Sequence, residues 1–171
     1  MTKRQIEWSE KYYDLNTMDS KIVIKKENLP RAYELLCELN AHDELKTGGQ
    51  WPQNKEKPAD SKSVAKSPNV WFAWMPWNYD EICKSAVEIL ERLDFRVVYD
   101  NHRNLLALFL DDEAGDQGIF LNALAPVVED GSYIVLMGDG DYRNIFRCFF
   151  KNGKMYEQKA TVKTSWPELK E

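Results

Sequence analysis

The chain has 171 residues, 23 Lys and Arg against 28 Asp and Glu, a formal net charge of −5, and 43% apolar residues that include six tryptophans. That length and that much large apolar surface exclude a disordered chain and predict one sizeable core in a single domain, 1–171. No apolar run reaches the ~20 residues that span a bilayer, and the first ten residues carry no apolar signal segment, so no membrane association is expected and the expected compartment is the cytoplasm.

In chain order, residues 3–15 predict a short amphipathic helix, with Trp8, Tyr12 and Leu15 on one face. Lys21–Lys25 reads as a short strand. Leu29, Ala32, Tyr33, Leu36 and Leu39 form the apolar stripe of a helix that opens on Pro30, where a missing N–H costs nothing, and closes at Asn40. Residues 41–69 are polar, with Gly48-Gly49 and three prolines, and predict a long mobile loop pinned at Trp51. Val70–Trp77 reads as a strand with Trp71 and Ala73 on one face and Phe72 and Trp74 on the other, ending at Pro76.

Asn78, with Glu81 three residues on, predicts a capping box for a helix over 78–93 whose buried stripe is Ile82, Ala86, Ile89, Leu90 and Leu93. Phe95–Tyr99 and Leu105–Leu110 predict a β-hairpin. A third helix is expected from Asp116, carrying Phe120, Leu124 and Val127 inward. Strands at Ser132–Met137, Tyr142–Phe150 and Lys154–Val162 complete a C-terminal three-stranded meander, its last turn set by Asn152-Gly153, a pair suited to positive φ at both positions. The tail from Ser165 to Glu168 is expected to fray. The fold class is therefore α+β: a mainly antiparallel sheet with helices on one face.

Charge is unevenly spread. Residues 1–69 hold 12 basic and 11 acidic side chains, and residues 70–171 hold 11 and 17. Between Arg103 and Arg143 lie eight acids and no lysine or arginine: Asp111, Asp112, Glu113, Asp116, Glu129, Asp130, Asp139 and Asp141. A one-signed field of this kind repels polyanions and attracts basic surfaces, so duplex DNA is not an expected partner. The plain alternative is that these acids serve turns and helix ends, with Asp116 as an N-cap. Their spacing fits no EF-hand. Trp51, Trp71, Trp74 and Trp77 form a group that either fills the core or supplies an aromatic anchor for a partner.

Other constellations are weaker. Glu157-Gln158-Lys159 on a strand, with Asp141 upstream, has the acid-x-Lys form used by metal-dependent nucleases, where acids hold Mg²⁺ and the lysine supports the attacking water. It lacks the Pro-Asp element and a basic substrate surface. His42 and His102 lie in predicted loops far apart, and no Cys/His spacing suits zinc, so neither a metal nor a cofactor is expected. No Gly-x-Ser-x-Gly elbow or phosphate-binding glycine loop is present. Cys37, Cys83 and Cys148 read as buried free thiols. Lys21 and Lys25, near Lys26 and Arg31, read as protection of a strand edge, or as a small anion-contacting patch.

Three blocks, Asp19 to Pro30, Val70 to Asp80 and Ala123 to Ile134, resemble small uncharacterised proteins of bacteria and their phages. The resemblance covers residues 19–160. It implies mobile-element biology and brings no activity, cofactor or catalytic residue.

Three readings follow. The first is a non-enzymatic interaction protein that docks a basic surface through Asp111, Asp112, Glu113, Asp116, Asp139 and Asp141, with Trp74 and Trp77 as anchors. Its most concrete form is a phage-type inhibitor of a nucleic-acid-handling defence enzyme, an anti-CRISPR-like role. The second is a metal-dependent nuclease using Asp141, Glu157 and Lys159. The third is a peptide or small-ligand module lined by Trp71, Trp74 and Trp77.

Overall fold

A computed structural model of the chain describes residues 4–8, 11–14, 20–49, 68–110, 115–137, 145–159 and 161–164. Expectations for Trp51, Asp111, Asp112, Glu113, Asp139, Asp141, most of the 41–69 loop and the Ser165–Glu168 tail lie outside these residues. The described elements are α+β, with antiparallel pairing in every sheet.

The first expectation to fail is the N-terminal helix. Residues 3–15 contribute two antiparallel strands, β1 (Arg4–Trp8) and β2 (Lys11–Asp14), with Trp8 in register with Lys11. Ile6, Trp8, Tyr12 and Tyr13 favour strands, and a third strand, β9 (Thr161–Thr164), pairs with the other edge of β1. Helical spacing in a short aromatic segment is outweighed by that long-range pairing.

The central sheet has the order β3-β6-β7-β8, built from β3 (Ser20–Lys21), β6 (Tyr133–Met137), β7 (Ile145–Lys151) and β8 (Lys154–Lys159). The last three are the expected meander, and Asn152 and Gly153 hold φ values of +54° and +67° in its final turn. The expected third strand is split, because β9 leaves for the β1 sheet. The hairpin β4 (Phe95–Tyr99) and β5 (Leu105–Leu110) joins this layer through a bridge between Ile24 and Leu105. Asp100 organises its loop, its carboxylate accepting from the backbone N–H of His102 and Asn104.

Among the described residues, four α-helices supply the other layer: α1 (Leu29–Asn40), α2 (Tyr79–Ile82), α3 (Ala86–Arg92) and α4 (Gln117–Leu124). One buried cluster joins Leu36 and Leu39 of α1, Ile89 and Leu90 of α3, and Phe120 and Leu124 of α4 to Ile134, Leu136, Cys148 and Phe150 of the sheet. Alternation along β6 and β7 sends these sheet residues toward the helices and Tyr133, Arg147 and Phe149 to the opposite face.

The helix expected over 78–93 is two helices. At the break, Cys83 and Ser85 are extended, Ser85 Oγ accepts from Glu88 N at 3.2 Å, and Glu88 Oε2 accepts from Lys84 N at 2.8 Å. Ser85-x-x-Glu88 is a second helix start inside the apolar run. Ile82 consequently leaves the buried stripe and is 40% exposed, while Ala86, Ile89, Leu90 and Leu93 stay inside.

Val70–Trp77 is not a strand. It is a succession of turns, with Met75 N donating to Phe72 O at 3.1 Å. Beyond Val70, which is also buried, its buried residues fall every fourth position, Trp71 and Met75, a helix-like period that continues with Tyr79 and Cys83 through α2. Ala73, expected beside Trp71, is exposed.

Candidate interaction surface

Helix α1 fixes the aromatic segment. Asn40, the last residue of α1, is buried; its Nδ2 donates to Trp77 O at 2.9 Å and to Asp80 Oδ1 at 2.6 Å. Asn40 Oδ1 accepts from the Trp71 indole at 3.3 Å. Tyr79 Oη donates to Leu36 O at 2.7 Å, and Tyr33 Oη to Cys83 O at 2.9 Å. A segment with no regular backbone ladder thereby gains partners for its polar groups.

From the other side, the 46–49 segment presses on the same backbone. Gly48 N donates to Val70 O at 2.9 Å, and Val70 N to Gly49 O at 3.0 Å. A Cβ at Gly48 would fall 2.6 Å from Phe72 N and from Trp71 C and O, so only glycine permits this approach.

The tryptophans consequently separate. Trp71 is 2% exposed and packs edge-on against Phe120, with centroids 5.0 Å apart. Trp74 is 50% exposed and lies flat on Phe72, with centroids 4.8 Å apart and planes inclined by 17°. Phe72 itself leans on Phe120 at 6.3 Å. The result is a shelf: a core ring, a half-buried ring and an outer indole. Trp77 is 40% exposed, with its backbone carbonyl held by Asn40. Trp71 belongs to the core, while Trp74 and Trp77 are exposed.

The acids divide as well. Asp116 sits at the N-cap position of α4, but its carboxylate makes no capping bond; it accepts from Thr47 Oγ1. Its neighbour Gly115 lies beside Phe72, since a Cβ there would be 3.7 Å from Phe72 Cε1. Asp116 is thus held close to the aromatic shelf, and no cation among the described residues pairs with it. Glu129 and Asp130 lie beyond the opposite end of α4 and are engaged: Glu129 pairs with Lys25 at 3.0 Å, and Asp130 Oδ1 accepts from Asn152 N at 2.7 Å. Those two serve the fold and are separate from Asp116.

Glu157 and Lys159 share the helix-side face of β8, opposite Cys148 and Phe146 in register. Both are exposed, and their third partner, Asp141, is outside the described residues. Among the described residues, no group of three His, Cys, Asp or Glu is placed to hold a metal ion. His42 Nδ1 meets Glu44 Oε1 at 2.9 Å on the surface. The cysteines are free; Cys83 and Cys148 are buried and Cys37 half-buried. Burial pushes all three thiols above their usual range, and Cys148, with the Glu157 carboxylate adding to the effect, is pushed up to about 12. Such thiols are poor nucleophiles. No helix among the described residues is long and apolar enough to cross a membrane.

No protein-family model matches this chain, and neither the curated proteins nor the solved structures contain a significant match to it. Sequence reasoning missed Asn40, Gly48 and Phe72. Of these, only Gly48, in the pair Gly48-Gly49, carried a local signal, a position where backbone approaches backbone.

Proposed function

We propose that this chain is a non-enzymatic interaction protein that docks a basic surface of another macromolecule. The carrying observation is the half-exposed indole of Trp74, held flat on Phe72, a ring that also lies against Gly115 next to Asp116, whose carboxylate has no cationic partner among the described residues. A guanidinium can lie on the outer face of the indole while bonding to a neighbouring carboxylate, and that pairing suits arginine better than lysine. A rigid ring also needs little ordering on binding, which is why tryptophan anchors so many interfaces. Asp111, Asp112 and Glu113, immediately before Asp116 in the chain, and Asp139 and Asp141 add long-range attraction in this reading and raise the association rate. The most concrete partner is a protein whose basic groove ordinarily takes nucleic acid, such as a defence nuclease met in the host cytoplasm; the run of acids uninterrupted by cations supports it.

The test uses fluorescein-labelled arginine-rich and lysine-rich peptides of equal charge. The arginine peptide is expected to bind more tightly, Trp74→Ala to remove the preference, and Asp116→Asn to weaken binding several-fold. Equal affinities, unchanged in Trp74→Ala, would contradict the proposal.

A further inference from the structure

The sheet face turned away from the helices carries the opposite chemistry. One register row crosses all four strands: Lys21 pairs with Tyr133, Tyr133 with Phe149, and Phe149 with Tyr156. Because paired residues point to the same side, three aromatic rings stand in line with a lysine at one end. Phe149 and Tyr156 are stacked, with centroids 5.1 Å apart and planes inclined by 18°. Tyr156 ends the stack on β8, at the edge of this sheet, and is 43% exposed.

Each flanking row on that face holds cations, in one of them a single arginine between Val135, which is buried, and Gln158. On one side, Arg147 lays its guanidinium over the Tyr133 ring at 4.6 Å, and its buried Nε has no hydrogen-bond partner. On the other, the exposed Lys151 and Lys154 are directly paired across the hairpin. Like charges opposite each other destabilise a strand pair, so this arrangement is one that an anion would relieve. By register, no described carboxylate lies on this face. Asp130 lies at its rim, held by Asn152 N at the hairpin end; Glu157 is on the helix side. Among the described residues, four cations and no acid on one face stand out in a chain of net charge −5.

We infer that this face binds single-stranded nucleic acid. An acidic peptide would be satisfied by the cations alone. A single strand uses both features, since bases continue the Phe149–Tyr156 stack while phosphates meet Lys151, Lys154 and Lys21. A duplex keeps its bases stacked on one another and cannot use the rings. The inference is independent of the Trp74 surface, which lies on other elements and has the opposite charge.

The test is fluorescence anisotropy of the full chain at low and moderate salt, with a short labelled oligothymidylate, its duplex with oligoadenylate, and a labelled polyglutamate. The single strand is expected to bind more tightly than the other two. Tyr156→Ala should weaken it about tenfold, within the range for loss of one base–aromatic stack, while Tyr156→Phe, which keeps the ring, should retain it. Lys151→Gln with Lys154→Gln should make the dependence of log affinity on log salt shallower by roughly 0.7 per lysine, and Lys84→Gln should not. No binding of the single strand at low salt, or equal binding of all three probes with no effect of Tyr156→Ala, would overturn the inference; the latter result would mark the face as a site for acidic protein.

Discussion

The indole N–H of Trp71 donates to Asn40 Oδ1 at 3.3 Å inside the core, and the amide of the same asparagine donates outward to Trp77 O and Asp80 Oδ1. One side chain therefore ties the buried tryptophan to the backbone that presents the exposed one. Asn40→Ala leaves the Trp71 N–H buried without a partner, which costs about 1–3 kcal/mol. The expected loss of about 2 kcal/mol is measured by urea unfolding, and a change below half that size would show that the network contributes little.

Two glycines should respond in opposite directions. Gly48→Ala forces a Cβ to within 2.6 Å of the Trp71–Phe72 backbone and should destabilise by about 1–3 kcal/mol. Gly118, inside α4, has nothing within 4 Å of an added Cβ. Gly118→Ala should stabilise by about 0.5–1 kcal/mol, the helical cost of glycine being removed. Thermal unfolding of the two variants checks both signs.

The break between α2 and α3 is tested at two neighbouring positions. Ser85→Ala removes the cap of α3 and should cost about 1 kcal/mol. Ile82→Gln should stay within about 0.5 kcal/mol of the parent, as for a surface position. In a continuous helix over 78–93 the order would be reversed, because Ile82 would be core and Ser85 a solvent-facing residue.

The thiols predict alkaline behaviour. Cys148 is neutral in both states below about pH 9; unfolded, it ionises near its usual 9.0, and folded, near about 12. Across that window the unfolded state gives up a proton that the fold retains, so stability falls as pH rises from 9 toward 12, by at most about 1.4 kcal/mol per pH unit for each such group. The Tyr79 phenol, also raised by burial, acts in the same direction. Stability flat to about pH 9 and declining above it is expected, with a shallower decline in Cys148→Ala. At mildly alkaline pH, thiol-specific reagents should label Cys83 and Cys148 slowly in the native protein and rapidly in denaturant.

Elements with strong local periodicity were legible in the sequence. The stripe of α1, the β4–β5 hairpin, Phe120 and Leu124 of α4, and the Asn152-Gly153 turn all lie where their spacing and turn chemistry place them. Residues 3–15 misled because a helical spacing of three aromatic and aliphatic residues does not reveal a distant strand. Val70–Trp77 misled because its rings are placed by contacts from α1 and from Gly48, neither of which has a signature within the segment. The cationic face was hidden in the net charge of residues 70–171. Residues 143–163 carry six Lys and Arg and one acid, a local excess averaged away in that net charge, and the register of β7 with β8 decides which of them share a face.

The central claim, that Trp74 beside Asp116 is a docking surface, is tested most directly by ¹H–¹⁵N spectra of the tryptophan side chains during titration with the arginine-rich peptide. The Trp74 indole resonance is expected to shift progressively with peptide and to lose that response in Asp116→Asn, while the buried Trp71 resonance stays in place. A Trp74 signal that does not move, or one that moves no more than Trp71, would contradict the account.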